Sequence, residues 1–269
     1  MNTAIVVGVD GSAPSLRAAV WAADEAALRH APLRVVNAFG IPDAFYGEMS
    51  PPRDWLDPHQ RASESIVRAA VATAERRHPR LATEQESVFD GAVPVLLRRS
   101  RQARMIVVGS AGRGVLGDLV VGSAALALTV RAACPVAVIR GEEREGAEAP
   151  VVAGVDGGPV SQPVLACAFE EAAVHGLPLV AVHAGEDVDP ARVLAEALAG
   201  WAEKFPDVEV RRVTERDKPR QRLLDWSTRA RMVVVGSRGR GGFAGLLLGS
   251  TSQALIQHAE CPVLVTRGK

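Results

Sequence analysis

Two glycine-rich stretches carry the residue types and the spacing that could do chemistry. Ile106 to Ala124 reads IVVGSAGRGVLGDLVVGSA, and Val233 to Thr251 reads VVVGSRGRGGFAGLLLGST. Both follow G-x-x-G-x9-G-S, with Gly109, Gly112 and Gly122-Ser123 in the first and Gly236, Gly239 and Gly249-Ser250 in the second. An apolar run that ends in such a turn and resumes at a serine predicts strand, loop and helix N-terminus in succession. Backbone N–H groups and the positive end of a helix dipole then converge on one place, which suits an anion such as phosphate. Glycine could equally serve only to keep the connection tight, but identical spacing in two copies favours binding. Arg113, Arg238 and Arg240 lie inside these stretches, where they either pair with phosphate oxygens or face solvent.

Other nucleotide motifs fit less well. A Walker A loop needs Lys and then Ser or Thr after its last glycine, and neither copy has them. Gly112, Gly114 and Gly117 match GxGxxG, and Gly239, Gly241 and Ala244 match GxGxxA. Both strings follow the fourth predicted strand of their half and lack an acidic residue at the end of a next strand, so they are not read as a dinucleotide fingerprint. A second pair of candidates is Asp10 and Asp156, each at the carboxyl end of an apolar run and followed by glycine. As turn residues they would hydrogen-bond local backbone; their recurrence opposite the glycines points to ligand contact. His183, also near a strand end, reads as a satisfied core histidine, and no catalytic or metal-ligating residue is assigned.

The elements that must position these residues alternate in type. Ala4 to Val9, rich in β-branched residues, predicts a strand buried on both faces, followed by a helix capped at Ser12 or Ser15 with Pro14 in its first turn. Leu33 to Ala38 is a second strand. Gly40 to His59, with Pro42, Gly47, Pro51, Pro52 and Pro58 plus Phe45, Tyr46 and Trp55, reads as a long loop whose aromatics cover a ligand or pin the loop down. A helix over Gln60 to Arg77, a strand near Thr83 to Phe89, a helix around Val93 to Ala103 and a strand at Met105 to Val108 lead to the first glycine stretch. A helix over Ser123 to Arg131 and a strand over Pro135 to Ile139 close the half.

The order then repeats. Asp10 recurs as Asp156 at an offset of 146, while Leu96, Gly109 and Cys134 recur as Leu223, Gly236 and Cys261 at an offset of 127. The first copy therefore carries 19 more residues between its second strand and third helix, with the stretch at 40–59 the natural place for them. The reading is an α/β chain with one domain over 1–140, a charged linker over 141–150 and a second domain over 151–269. Alternating strands and helices predict parallel sheets with right-handed crossovers and helices on both faces.

Composition narrows the function classes. The 269 residues are 48% hydrophobic, with 31 basic against 31 acidic side chains. A balanced charge speaks against nucleic acid or an anionic membrane as the main partner. No apolar run approaches the roughly 20 residues of a membrane span, and the polar start reads as a strand, so a cytoplasmic location is expected. Three cysteines without C-x-x-C spacing indicate neither a disulfide framework nor a zinc site.

In combination, these features resemble the universal stress protein family, in its tandem-domain, ATP-binding class. The resemblance covers nearly the whole chain and rests on three motifs: V-x-G-V-D-G at Val6 to Gly11 and Val152 to Gly157, the two glycine stretches, and Cys-Pro-Val at Cys134 and Cys261. It implies two Rossmann-like domains, each with a five-stranded parallel sheet, binding ATP, with or without Mg2+, between the first and fourth strand ends. Asp10 and Asp156 would contact the nucleoside, and Ala38 and Ala184 would lie against adenine. Gly109, Gly112, Gly122 and Ser123 would hold the phosphates in the first copy, and Gly236, Gly239, Gly249 and Ser250 in the second. The copies differ at Ala111, where Arg238 stands in the second, and at Gly158, where the first has Ser12. The implied function is a nucleotide-dependent regulator or signalling protein in stress response, with an adenine nucleotide and an unidentified protein as partners. The edge character of the last strands further suggests pairing between domains and a homodimer of the whole chain. No base and nucleophile are paired near the glycines, so turnover is expected to be slow at most; a slow ATP hydrolase and a nucleotide-independent interaction module are the alternatives.

Overall fold

A computed structural model of the chain describes residues 3–40, 53–110, 122–141, 149–185, 189–216, 218–240 and 248–267. They form two compact units, Met1–Ile139 and Arg140–Lys269. The first runs β1 (Ile5–Gly8), α1 (Ala13–Leu28), β2 (Leu33–Ala38), α2 (Arg53–Arg77), β3 (Thr83–Val88), α3 (Ala92–Ser100), β4 (Met105–Gly109), α4 (Ser123–Arg131) and β5 (Val136–Ile139). The second runs β6 (Val151–Gly154), α5 (Ser161–His175), β7 (Leu179–Ala184), α6 (Pro190–Ala197), α7 (Trp201–Lys204), β8 (Val210–Glu215), α8 (Pro219–Ser227), β9 (Met232–Gly236), α9 (Ser250–His258) and β10 (Val263–Thr266).

Within the first unit all neighbours pair in parallel, in the order β3-β2-β1-β4-β5. The second unit repeats this as β8-β7-β6-β9-β10. Val and Ile dominate the central strands because both faces are covered: Ile5, Val7, Ile106, Val107, Val151 and Val233 are all wholly buried. In the first unit α1 and α2 pack together, as do α3 and α4, which divides the helices between the two faces of the sheet. β3 and β8 border only one neighbour each and have no fully buried residue, and their polar sequences TEQESV and VRRVTE follow from that.

Two glycine positions set how closely helices approach the sheet. A Cβ on Gly109 would lie 2.7 Å from the Pro14 carbonyl carbon and 2.8 Å from its oxygen, so the backbone of the first turn of α1 rests directly on the end of β4. In the second unit a Cβ on Gly236 would collide with Val160 and come within 2.9 Å of the Arg238 carbonyl oxygen. Ser12 caps α1, its hydroxyl accepting the Ser15 N–H at 3.3 Å with Pro14 in the first turn, as the sequence predicts.

The expected loop over 40–59 is corrected in its last part. Residues 41–52, with Phe45 and Tyr46, lie outside the described residues, but α2 starts at Arg53 and includes Trp55, Pro58 and His59. Proline near a helix start forfeits only one hydrogen bond, and the carbonyl it leaves, on exposed Asp54, reaches water. Trp55 stacks on His59 one turn later, at 3.9 Å and 19°, and meets Phe89 edge-on at 6.3 Å. The 19 extra residues do fall between second and third strands: 44 residues separate Ala38 from Thr83, whereas 25 separate Ala184 from Val210. They are spent on a 25-residue α2 as well as on a connection, where the second unit has α6 and the single turn α7.

No disulfide joins Cys134, Cys167 or Cys261, Cys261 is buried, and burial pushes the Cys134 thiol up to about 12. Cys134 therefore stays protonated in the fold while an unfolded chain ionises near its ordinary 9.0. The stability that this supplies is complete below that value and is lost as pH rises through it towards the folded one. The stability of a Cys134→Ala variant should accordingly fall less between about pH 8 and pH 10.5 than that of the parent chain, as denaturant midpoints would measure. Gly109→Ala should cost about 2 kcal/mol or more because backbone must move, whereas Gly8→Ala, met chiefly by the Leu96 methyl groups, should cost about 1 kcal/mol or less; the two midpoints at unchanged m decide this.

Candidate functional site

In the first unit the chain leaves β1 for β2 on one side and leaves β4 for β5 on the other, so the carboxyl ends of β1 and β4 flank the point where the winding reverses. A crevice opens there in sheets of this kind. Asp10 sits just beyond β1 and Gly109 ends β4. A cavity of about 280 Å³ lies between them, lined by Asp10, Ser15, Ala38, Gly109, Gly122 and Ser123 among others. In the second unit a cavity of about 530 Å³ is lined by Asp156, Ala184, Gly236, Arg238, Gly239, Arg240, Gly249 and Ser250. Every sequence-predicted residue that the structure describes thus lines one of two equivalent cavities. Gly112 and Arg113, together with Gly114, Gly117, Gly241 and Ala244 of the dinucleotide-like strings, lie outside the described residues.

The aspartates are seated by their own turns. Asp10 Oδ1 accepts the Ser12 N–H at 2.9 Å and the Ser12 hydroxyl at 2.5 Å. Asp156 Oδ1 accepts the Gly158 N–H and the Ser161 hydroxyl, both at 2.8 Å. Gly11 and Gly157 take φ of +81° and +74° to make the turn, which only glycine does without strain. The second aspartate also reaches across the site: its Oδ2 accepts the Arg240 N–H at 2.7 Å, and the Arg240 guanidinium donates to the Asp156 carbonyl at 3.1 Å. Gly158 makes room for this, since a Cβ there would lie 2.9 Å from Arg240 Cγ. Ser12, its counterpart, fills the same role as a cap instead.

Sequence reasoning did not assign several residues that complete the sites. Ser15 and Ser161 accept the N–H of Asp10 and Asp156, each at 3.2 Å, and so fix the aspartate backbone. Asn37 donates to the Val9 carbonyl at 2.5 Å, and His183 Nδ1 lies 2.7 Å from the Val155 carbonyl, an equivalent bond from a different side chain. His183 is 2% exposed and satisfied, as read from sequence, yet it also lines the second cavity. Leu223 and Pro219 form the apolar wall of that cavity, and Leu96 and Ala92 that of the first. Ser15/Ser161 and Asn37/His183 stand at the same offset of 146 as the aspartates, so the repeat itself was the signal that could have found them.

The glycine stretches end as predicted. Ser110 and Ser237 carbonyls accept the N–H of Gly122 at 2.9 Å and Gly249 at 2.8 Å, which closes each loop at its base. α4 and α9 then start with glycine at the cap and, among the described residues, no side-chain cap bond to their first N–H groups. Each therefore presents bare donors and about half a positive charge to its cavity. Gly109 and Gly236 prove to be packing residues first, whereas a Cβ on Gly239 would meet only Asp156 Oδ2, at 3.2 Å. Each unit so combines a carboxylate, an apolar slot between the strand ends and the third helix, and an uncapped helix N-terminus. Such a set can hold a flat base at one end, hydroxyl or amino donors in the middle and an anion at the other.

Comparison with known proteins places this arrangement. The model described as the universal stress protein family matches residues 1–140 and 186–267. The chain is 41% identical to universal stress protein Rv2005c of Mycobacterium tuberculosis, over 98% of this chain and 96% of that protein. It is 39% identical to universal stress protein Rv2623 of the same organism, with the same coverage. Among solved structures, a universal stress protein from Archaeoglobus fulgidus superposes over 100% of both chains with a TM-score of 0.79 at 19% identity, a likeness of fold. With nearly full-length relatives of this identity and a family model over most of its length, the chain belongs to the universal stress protein family.

Proposed function

We propose that each unit binds one adenine nucleotide, ATP in the first instance, and that the chain acts as a nucleotide-dependent regulator in stress response. The observation that carries this reading is the duplicated juxtaposition of a seated aspartate, an apolar slot and a helix N-terminus without a side-chain cap. The residues present suit such a ligand. The second cavity, about 530 Å³, falls in the size range of small-molecule sites. Val182, Ala184, Pro219 and Leu223 offer apolar surface to a base, Asp156 an acceptor to the nucleoside, and α9 with Arg238 donors to the phosphates. When bound, ATP would supply charge and hydrogen-bonding groups that bridge the two ends of the cavity, with Mg2+ as a companion ion.

Binding is a better reading than turnover. Among the described residues of the second cavity, the groups able to move a proton are Asp156 and His183, and both are engaged: the carboxylate by three donors, the imidazole Nδ1 by the Val155 carbonyl. The Ser161 hydroxyl donates to Asp156 and accepts the Asp156 and Gly157 N–H groups, so this pair holds the turn and is not set up as nucleophile and base. The second site is the tighter of the two, since Arg238 stands there where the first has Ala111. We extend the proposal to a cytoplasmic homodimer with domains over 1–140 and 151–269 joined by 141–150.

Denaturing the purified protein after loading with ATP should release ATP at a ratio approaching two per chain; release of another adenine nucleotide would change the ligand, and a ratio near zero after reloading would overturn the reading. Ser250→Asp tests the phosphate end. It places negative charge at the start of α9, so calorimetry should show second-site affinity falling by about tenfold or more while the melting temperature holds or rises. Gly239→Ala should likewise lower affinity with little change in stability, whereas Gly236→Ala should lose stability first.

A further inference from the structure

The two units are built alike but carry opposite charge at one equivalent corner. Arg211–Arg222, covering β8 and the first turn of α8, holds six basic and two acidic residues in a chain whose formal net charge is zero. The matching window of the first unit, Glu84–Val95, holds three acids and no basic residue. Those acids are already neutralised within their unit, Glu84 by Arg34, Glu86 by Arg99 and Asp90 by Arg98, which holds the Asp90 carboxyl below its ordinary range. By contrast, Arg211, Arg212, Arg216 and Arg220 are exposed and have no ion pair or hydrogen bond among the described residues. Arg212 and Thr214 lie on one face of β8, Arg211 lies on the other, and Arg216 follows directly after the strand; all four are exposed.

The first unit also covers this corner with its own chain. The first two turns of α2 bring Trp55 onto Phe89, which itself packs on Phe39 at 5.5 Å. In the second unit α6 begins at Pro190, the counterpart of Ser63, so residues 53–62 have no equivalent there. Arg216 stands where Phe89 does, and Arg220 where Val93 does. Pro219, between the basic residues, lines the second cavity, so the uncovered corner lies at its mouth.

We propose that the β8–α8 corner is a docking surface for an acidic segment of a partner protein, taking the place that the start of α2 occupies in the first unit. Arginines on a sheet edge also discourage strand pairing between molecules, but that role needs no run onto α8. Four cations with no partner among the described residues cost solubility nothing and steer an acidic segment at long range. The Coulombic part of such a contact weakens with salt over a Debye length of about 8 Å at physiological ionic strength.

Fluorescence anisotropy with the full-length protein tests this, using a labelled helix-forming peptide of Glu, Asp and Leu and a counterpart with Lys in place of the acids. The acidic peptide should bind and the basic one should not, with affinity falling as salt rises. Combined Arg211→Ser, Arg212→Ser, Arg216→Ser and Arg220→Ser should weaken binding by about tenfold or more at unchanged melting temperature, whereas Arg68→Ser, on exposed α2, should not. Equal binding by the fourfold variant would overturn the proposal. So would a DNA duplex that binds as tightly with the same dependence on these arginines, since the surface would then read any polyanion. Self-association of the protein that the fourfold variant abolishes would also overturn it, by assigning the corner to a second copy.

Discussion

The backbone of α1 touches the end of β4 at Gly109, and most of the site follows from that contact. With no Cβ in the way, the first helical turn after the aspartate lies against the strand that enters the glycine stretch. The Asp10 turn, the Ser12 cap and the two ends of the glycine stretch, Ser110 and Gly122, are thereby brought to one crevice. The second unit reaches the same end with Val160 against Gly236. Interiors are packed too densely for the helix to settle elsewhere if that gap were filled. A glycine that looks like part of a phosphate loop thus acts first as the spacer that brings carboxylate and loop together.

The two units show how one scaffold holds equivalent residues by different local means. Ser12 closes the first aspartate turn from its own helix cap, whereas Gly158 leaves the space that Arg240 crosses to bond Asp156. Asn37 and His183 likewise make the same bond to the carbonyl before the aspartate from different side chains. Duplication followed by such exchanges keeps the geometry while changing the charge at each cavity. Arg238 and Arg240 make the second cavity the more cationic of the two as described, and the mouth of that cavity is basic as well.

The helix starts carry a related economy. Natural helices commonly satisfy their first N–H groups with a Ser, Thr, Asp or Asn cap. α1 does so, and α6 does so through Asp189. α4 and α9 place glycine there instead, as α3 does at Gly91, and α5, α7 and α8 also start without a side-chain cap bond; α4 and α9 are the two that follow the glycine stretches. Leaving donors uncapped costs helix stability, and a bound anion would restore it.

Much of this was legible in the amino-acid sequence. The apolar runs marked all the central strands because a parallel sheet covered on both faces needs unbroken Val and Ile, and the paired offsets of 146 and 127 identified the duplication and the place of the extra residues. Asp10, Gly122 and their counterparts could be named because strand ends and glycine spacing are local features, while Ala38 and Ala184 were reached through the family resemblance. Other features needed the tertiary structure. The start of α2 was hidden because Pro58 breaks a local pattern that packing of Trp55 against Phe89 overrides. The packing role of Gly109 was hidden because its neighbour Pro14 lies 95 residues away in the chain. Asp156 bonds Arg240 across 84 residues, and only the folded sheet brings them together. Sequence by itself determined which residue types recur and with what spacing, since period and turn chemistry act over a few residues; tertiary structure decided which of those residues bear load, bond one another or stay uncovered, because those are properties of neighbours distant in the chain.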